Sequence, residues 1–320
     1  MKTVLIVGSM AYDEIETPRG RSGKILGGAA TYSALAASYF DVDVKMLSVV
    51  GEDFKQEYFD ILSNHGIDIS GIEVKKGEKT FHWAGKYLED MNQRKTLLTD
   101  LNVLENFDPV VPDNFKNPEI LLLGNLSPRV QLSVINQLES KPKLIVLDTM
   151  NFWITTALDE LQEVISKVDL LTINEEEAYL LSGEYTVRAA AEKILKMGPR
   201  FLIIKKGEHG AMLFDKQKMF FAPALPLYEV FDPTGAGDTF AGGLCGFMAF
   251  CGDYGFENLK NGVIAGSVLA SFTVESFGTD RLRSVDEDEI YSRIDEFIEL
   301  VSFNFPKKDI IFNTKKVKQL

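Results

Sequence analysis

The sequence predicts an α/β protein with a mostly parallel, doubly wound central sheet. Three observations carry that expectation. The run Thr3, Val4, Leu5, Ile6, Val7 is continuously apolar and rich in β-branched residues, as in a strand buried on both faces. Similar runs over residues 44–50, 119–124, 144–147, 168–173 and 200–205 alternate with helical stretches, the order that right-handed crossovers produce. Several of these runs end in glycine or polar turns, at the carboxyl edge where α/β proteins form ligand sites.

Bulk properties narrow the function. A chain of 320 residues holds one large α/β domain, or such a domain with a small accessory element. Its 45% hydrophobic and 25% charged residues are ordinary for a folded protein. A net charge of −13 excludes a basic surface that tracks nucleic-acid phosphates, yet leaves room for a local amide-lined or basic pocket. Cys245 and Cys251 are too few for a disulfide framework or a cysteine metal site and read as buried thiols in a reducing compartment. No run of 18 apolar residues occurs, and Met1-Lys2-Thr3 leads into a strand. The expectation is a soluble, cytoplasmic protein with neither membrane nor nucleic acid as partner.

In chain order, the first strand exits through Gly8-Ser9-Met10-Ala11-Tyr12-Asp13. Asp13 is acceptor-only and suits a pair of vicinal hydroxyls, although a lone loop Asp is also common surface decoration. Gly27-Gly28 then opens an alanine-rich helix that includes Tyr32. The pair lets the helix pack closely on the sheet and also admits a ligand against the backbone. Residues 44–50 form a second strand, and a helix closes near residues 60–65. From residue 72 to about 104 helical periodicity is lost. Phe81-His82-Trp83 alternates, which puts Phe81 and Trp83 on one face of a strand and His82 on the other. Residues 94–101 are its partner strand, and Pro109 and Pro112 mark the return to the main body. Asn174-Glu175-Glu176-Glu177 then follows the strand at 168–173, and acids there suit a helix start. Lys206-Gly207-Glu208-His209-Gly210 follows the next strand as a glycine turn, which a hairpin alone explains. Residues 222–230 are apolar with two prolines and read as a short edge segment. Residues 261–275 form a small-residue helix and 286–301 an acidic amphipathic one, while the basic tail from 307 carries no assignment.

The stretch Phe231-Asp232-Pro233-Thr234-Gly235-Ala236-Gly237-Asp238-Thr239-Phe240 organises the rest. A helix of small and apolar residues follows it, so Gly-Ala-Gly lies at a helix start, where free N–H groups and the dipole favour an anion. Two glycines let a phosphate approach that backbone. Asp238 repels phosphate but can take a proton from a hydroxyl that attacks it. A glycine turn with a helix-start charge is the structural alternative.

This string resembles the signature of the PfkB/ribokinase family of carbohydrate and nucleoside kinases, and the weaker landmarks occur in that family's order over residues 3–300. The resemblance implies a ribokinase-like three-layer α/β/α sandwich with a small β-sheet lid. Its main domain would take residues 1–11, 26–71 and 105–306, its lid 12–25 and 72–104, and residues 307–320 would be a tail. It implies an ATP-dependent kinase for a hydroxyl of a sugar, a nucleoside kinase or a non-catalytic sensor being the alternatives. Asp238 would be the base and Gly235, Ala236 and Gly237 the anion hole. Asp13, Gly27, Gly28, Tyr32, Phe81 and Trp83 would meet the acceptor, although many relatives carry Asn at the position of Tyr32. Phe81 and Trp83 either stack on a substrate ring or hold lid to lid in a homodimer. Asn174, Lys206, Gly207, Gly210 and Thr234 would contact the nucleotide, and Glu177 would hold magnesium through water. Activation by a monovalent cation is compatible with the family.

Overall fold

The computed structural model describes residues 1–91 and 93–304, so the basic tail lies outside the described residues. β1 (Thr3–Val7) runs into a hairpin of β2 (Ala11–Thr17) and β3 (Gly20–Gly27), which delivers the chain to α1 (Ala29–Ala37). β4 (Asp43–Gly51), α2 (Gln56–Asn64) and β5 (Asp68–Lys75) follow, then a second hairpin of β6 (Phe81–Tyr87) and β7 (Arg94–Asp100). The succeeding α/β units are β8 (Ile120–Leu123), α3 (Pro128–Gln137), β9 (Leu144–Asp148), α4 (Asn151–Thr156), α5 (Leu158–Lys167), β10 (Leu170–Asn174), α6 (Glu175–Ser182), α7 (Val187–Leu195) and β11 (Phe201–Lys205). β12 (Ala211–Phe214), β13 (Met219–Ala222), α8 (Ala236–Cys251), α9 (Phe256–Thr273) and α10 (Glu287–Val301) are the last of the described strands and α-helices.

Nine of the described strands form the main sheet, in the order β13-β12-β11-β10-β9-β8-β1-β4-β5. From β11 to β5 neighbours are parallel, while β12 and β13 extend it antiparallel. β1 sends the chain first to β4 on one side and later to β8 on the other. That reversal is where a crevice opens beyond the carboxyl ends. β1 also shows why there are three layers. Val4 and Ile6 join a core with Leu35 of α1, Leu244 of α8 and Leu259 of α9. Leu5 and Val7 join the opposite core with Val130 of α3, Ile165 of α5 and Ile194 of α7. A continuously apolar strand follows directly from two buried faces.

Small residues set the helix layer beside the site. A Cβ at Gly242 would lie 2.1 Å from the Ser33 carbonyl oxygen, and one at Gly246 2.9 Å from Ala37 Cα. Glycines on α8 therefore let α1 approach within backbone contact. On the other layer, Ser127 caps α3 by accepting from the Val130 N–H, with Pro128 in its first turn.

The lid is a four-stranded sheet in the order β3-β2-β6-β7, with β2 and β6 parallel and the outer pairs antiparallel. Residues 72–75 continue β5, which pairs with β4 in the main sheet. The edge strand expected over residues 222–230 is instead β13, which stops at Ala222. Pro223 and Pro226 lie just beyond, since proline cannot donate to the ladder. No described helix is long and apolar enough to cross a membrane.

Candidate active site

The start of α8 is built around Gly235. This residue adopts the left-handed conformation, φ 77°, which is open to glycine at little cost. A side chain is excluded twice over, because a Cβ would lie 2.5 Å from three atoms of the Tyr32 ring. Asp232 fixes the preceding turn: Oδ1 accepts from the Thr234 N–H at 2.9 Å and Oδ2 from the Gly278 N–H at 3.1 Å. Thr234 Oγ1 donates to the Tyr87 hydroxyl at 3.1 Å, joining the lid to this turn. The Ala236 N–H is turned onto the Pro233 carbonyl, leaving the Gly235 and Gly237 amides as the helix-start donors. Ser33 Oγ donates to the Asp238 carbonyl at 2.9 Å and ties α1 to this first turn.

Asp13 reaches the same centre from β2. It is 4% exposed, and a Cβ at Gly27 would fall 2.0 Å from its Oδ2, so the carboxylate lies directly on glycine backbone. It accepts from the Gly28 N–H. Burial, reinforced by Asp232 and Asp238, pushes its pKa up to about 7 despite that bond. Asp238 is half-buried in the first turn of α8. Burial and then Asp148 push its pKa up to about 7, against the pull of Lys205 and Arg94.

Lys205, Asp148 and Arg94 were not singled out from the sequence. Lys205 ends β11 and reaches across β10, where its Nζ donates to Asp148 Oδ2 at 2.9 Å. The same Nζ lies 3.1 Å from the Cβ position of Gly237. Burial works to lower the Lys205 pKa, and Asp148, Glu177 and Asp238 outweigh it, so the ammonium is retained. A cation beside a helix start is unfavourable alone, but it and the amides together favour one anion. Arg94, at the start of β7, pairs in register with Tyr87. Its guanidinium carbon lies 5.4 Å from the Trp83 ring centre. Arg94 is exposed by its surface on this edge strand, yet the protein crowded around its guanidinium works to lower its pKa, and Tyr87, Glu177 and Asp238 outweigh that. The sequence signal for Lys205 and Asp148 was their place at carboxyl strand ends, and for Arg94 a lone arginine beginning a lid strand.

The remaining expected residues divide. Asn174 and Glu177 form a reciprocal cap on α6: Asn174 Oδ1 accepts from the Glu177 N–H and Glu177 Oε2 from the Asn174 N–H, each at 2.8 Å. Glu177 is nevertheless buried beside Lys205 and Asp148, and burial pushes its pKa up to about 7. Lys206 turns away onto Glu175, since successive residues at a strand end face opposite sides. Gly207 and Gly210 make the turn between β11 and β12, both at positive φ. Phe81 and Trp83 pair in register with Ala11 and Asp13 of parallel β2, which places both aromatics on the Asp13 face of the lid. His82 lies on the other face, near Glu14 and Asp100. A cavity of ≈ 900 Å³ runs from Lys205 and Gly237 past Gly207 and Gly210 to Leu225 and Ala270, with lid residues Pro18 and Arg19 at its rim.

A carboxylate beside a glycine-flanked helix start, at the switch point of a doubly wound sheet and beneath a lid, has the form of a small-molecule phosphotransferase site. The comparisons place it more narrowly. Residues 1–285 match the pfkB family carbohydrate kinase model. A cytidine kinase of Thermococcus kodakarensis is 30% identical over 247 residues, 76% of this chain and 87% of that protein. The Burkholderia thailandensis nucleoside kinase in complex with inosine superposes with TM-score 0.77 at 21% identity, covering 92% of this chain and 99% of the other. A putative ribokinase II from E. coli in complex with ATP and Mg²⁺ gives TM-score 0.75 at 20% identity, covering 94% and 100%. The chain belongs to the pfkB family of carbohydrate kinases, and its activity is phosphoryl transfer to a hydroxyl of a sugar or nucleoside.

Proposed function

We propose that the acceptor is a nucleoside and that the phosphoryl donor is ATP with magnesium. The observation that carries the acceptor is the placement of Phe81 and Trp83 on the lid face shared with Asp13, where a planar base would stack. The likeness to a cytidine kinase supports it. For the donor, a cavity of ≈ 900 Å³ whose floor is Lys205 and Gly237 suits a nucleoside triphosphate. Glu177, a buried carboxylate beside Lys205, would hold magnesium through water, as that ion retains several of its waters. ATP supplies the phosphoryl group and magnesium offsets its charge.

The protein's own groups then divide the work. Asp13 accepts from acceptor hydroxyls and orients them. Asp238 takes the proton of the attacking hydroxyl, for which a pKa of about 7 is well matched near neutral pH. The Gly235 and Gly237 amides and the Lys205 ammonium receive the charge that builds on the transferred group. The lid excludes water, which otherwise competes as acceptor.

Substrate-dependent ADP release across nucleosides, pentoses, hexoses and fructose phosphates tests this reading. Higher kcat/KM for a nucleoside than for any free sugar is expected, and the reverse order would replace it with a sugar acceptor. Exchanging potassium for choline in the same assay reads dependence on a monovalent cation. Lid-to-lid homodimerisation also belongs to this reading, because β7 is an exposed edge strand carrying Leu97 and Leu98. A monomeric mass in solution would remove it.

A further inference from the structure

The end of α9 serves two parts of the site at once. Ser267, Ala270, Ser271 and Val274 wall the cavity that runs out from Lys205 and Gly237. Val274 caps the helix, where a carbonyl lacks an intrahelical partner. That carbonyl accepts from the Phe231 N–H at 2.8 Å and from the Asp232 N–H at 3.3 Å. These two amides lead into the turn that precedes Gly235. A shift of this helix end therefore moves the cavity wall and the glycine turn together.

What holds the end of α9 comes from α10, outside the cavity. Arg293 lies over the Phe272 ring, its guanidinium carbon 3.5 Å from the ring centre. Its Nη1 donates to Ser271 Oγ at 2.7 Å and its Nη2 to Glu275 Oε1. Ser271 gives its own proton to the Val268 carbonyl at 2.6 Å, so its oxygen is left to accept. Arg281 donates to the other oxygen of Glu275 at 3.2 Å and forks onto both oxygens of Glu289. Glu289 in turn belongs to the reciprocal cap with Asp286 that starts α10. The Arg293 and Glu275 side chains are 13% and 27% exposed, so this charge-assisted pair is largely out of water. Beside it, Val268, Phe272, Val285 and Phe297 form a small core that takes in Leu225, a cavity residue from the loop after β13.

We propose that Arg293 is a positioning residue for the nucleotide. Its fork fixes Ser271 and Glu275, and with them the cavity wall and the Val274 carbonyl that holds the glycine turn. The assignment rests on the reading of this cavity as the ATP site. A residue that only joined α10 to α9 would need the stack on Phe272 and the apolar core. Neither requires two donors at a fixed spacing. A planar guanidinium supplies that spacing, whereas lysine is a point charge on a flexible stem.

Arg293→Met keeps an apolar stem on Phe272 and removes the fork, while Arg293→Lys keeps the charge as well. Phe297→Leu trims the same core and leaves the fork in place, and Ala270→Phe fills the cavity. The measurements are the Kd of AMP-PNP, the KM for ATP and for cytidine, and the thermal midpoint. Ala270→Phe should abolish AMP-PNP binding. Both Arg293 variants should raise the AMP-PNP Kd and the ATP KM by about 5- to 20-fold, the usual worth of one or two hydrogen bonds. The cytidine KM should change little. Phe297→Leu should lower the midpoint at least as far as Arg293→Met and leave the AMP-PNP Kd alone. An AMP-PNP Kd unchanged in Arg293→Met, recovered in Arg293→Lys, or raised equally in Phe297→Leu overturns the assignment. AMP-PNP binding untouched by Ala270→Phe overturns the cavity reading instead, and the role of Arg293 falls with it.

Discussion

At the scale of single residues, the site depends on what each carboxylate does with its proton. Asp238→Asn keeps shape but removes the proton acceptor, so kcat should fall by something like 10²–10⁴-fold. Nucleotide affinity should hold or improve, because a charge repelling phosphate has gone. Retained kcat would revive a sensing role on a kinase fold. In the wild type, kcat/KM should climb with pH and level off above about 7, the value to which burial and Asp148 push Asp238. Glu177 permits a cleaner separation than its place in a helix cap suggests. The cap uses its Oε2 as an acceptor, and a glutamine oxygen serves equally there. Glu177→Gln should therefore not lower the thermal midpoint, and should raise it above pH 7, while weakening magnesium-dependent turnover. Unchanged magnesium dependence would reduce Glu177 to a capping residue.

At the scale of elements, the crossing of α1 and α8 holds the acceptor side against the phosphate side. Gly242 and Gly246 let the two backbones touch, and Ser33 then bonds the Asp238 carbonyl. Gly242→Ala puts a methyl where the Ser33 carbonyl stands, and overpacking of this kind costs roughly 1–3 kcal/mol. A lower urea midpoint is expected, with a rise in acceptor KM because α1 carries Tyr32 and follows directly on Gly28. A stability loss with unaltered KM would show that the crossing supports the fold alone. The helices themselves were legible beforehand: Gly-Gly before an alanine run and Gly-Ala-Gly before a small-residue run each mark a helix start. That the two starts meet was not, because small-residue faces indicate close packing without naming the partner.

At the scale of the whole molecule, the site works against stability. Asp13, Glu177 and Asp238 each have folded-state pKa values pushed up to about 7, with burial the largest cause. A raised carboxylate favours folding most when protonated, so this contribution is complete below about 4 and is lost as pH rises through about 7. The thermal midpoint should accordingly be higher at pH 5.5 than at pH 8, and Asp13→Asn should raise it more at pH 8 than at pH 5.5. A midpoint that increases steadily over that interval would contradict the burial of these charges. The exposed pairs at Glu192 and Glu257 have lowered pKa values but sit in water, where salt bridges add little.

Although it misplaced β13 and the end of β5, the sequence by itself determined the buried parallel strands, the layered fold, the glycine turn before Asp238 and the kinase family. Each of these is written in contiguous residues: apolar runs long enough to cross a sheet, glycines where backbone must be bare, an acid one residue beyond. Only the tertiary structure decided which side chains share the centre. Lys205 rather than Lys206 faces the helix start, because alternation at the end of β11 sends one inward and the other to Glu175. Asp148 joins it over 57 positions and Arg94 arrives on the lid. Such convergence depends on sheet order and helix crossing, which set distances between residues remote in the chain, and no local pattern encodes those distances.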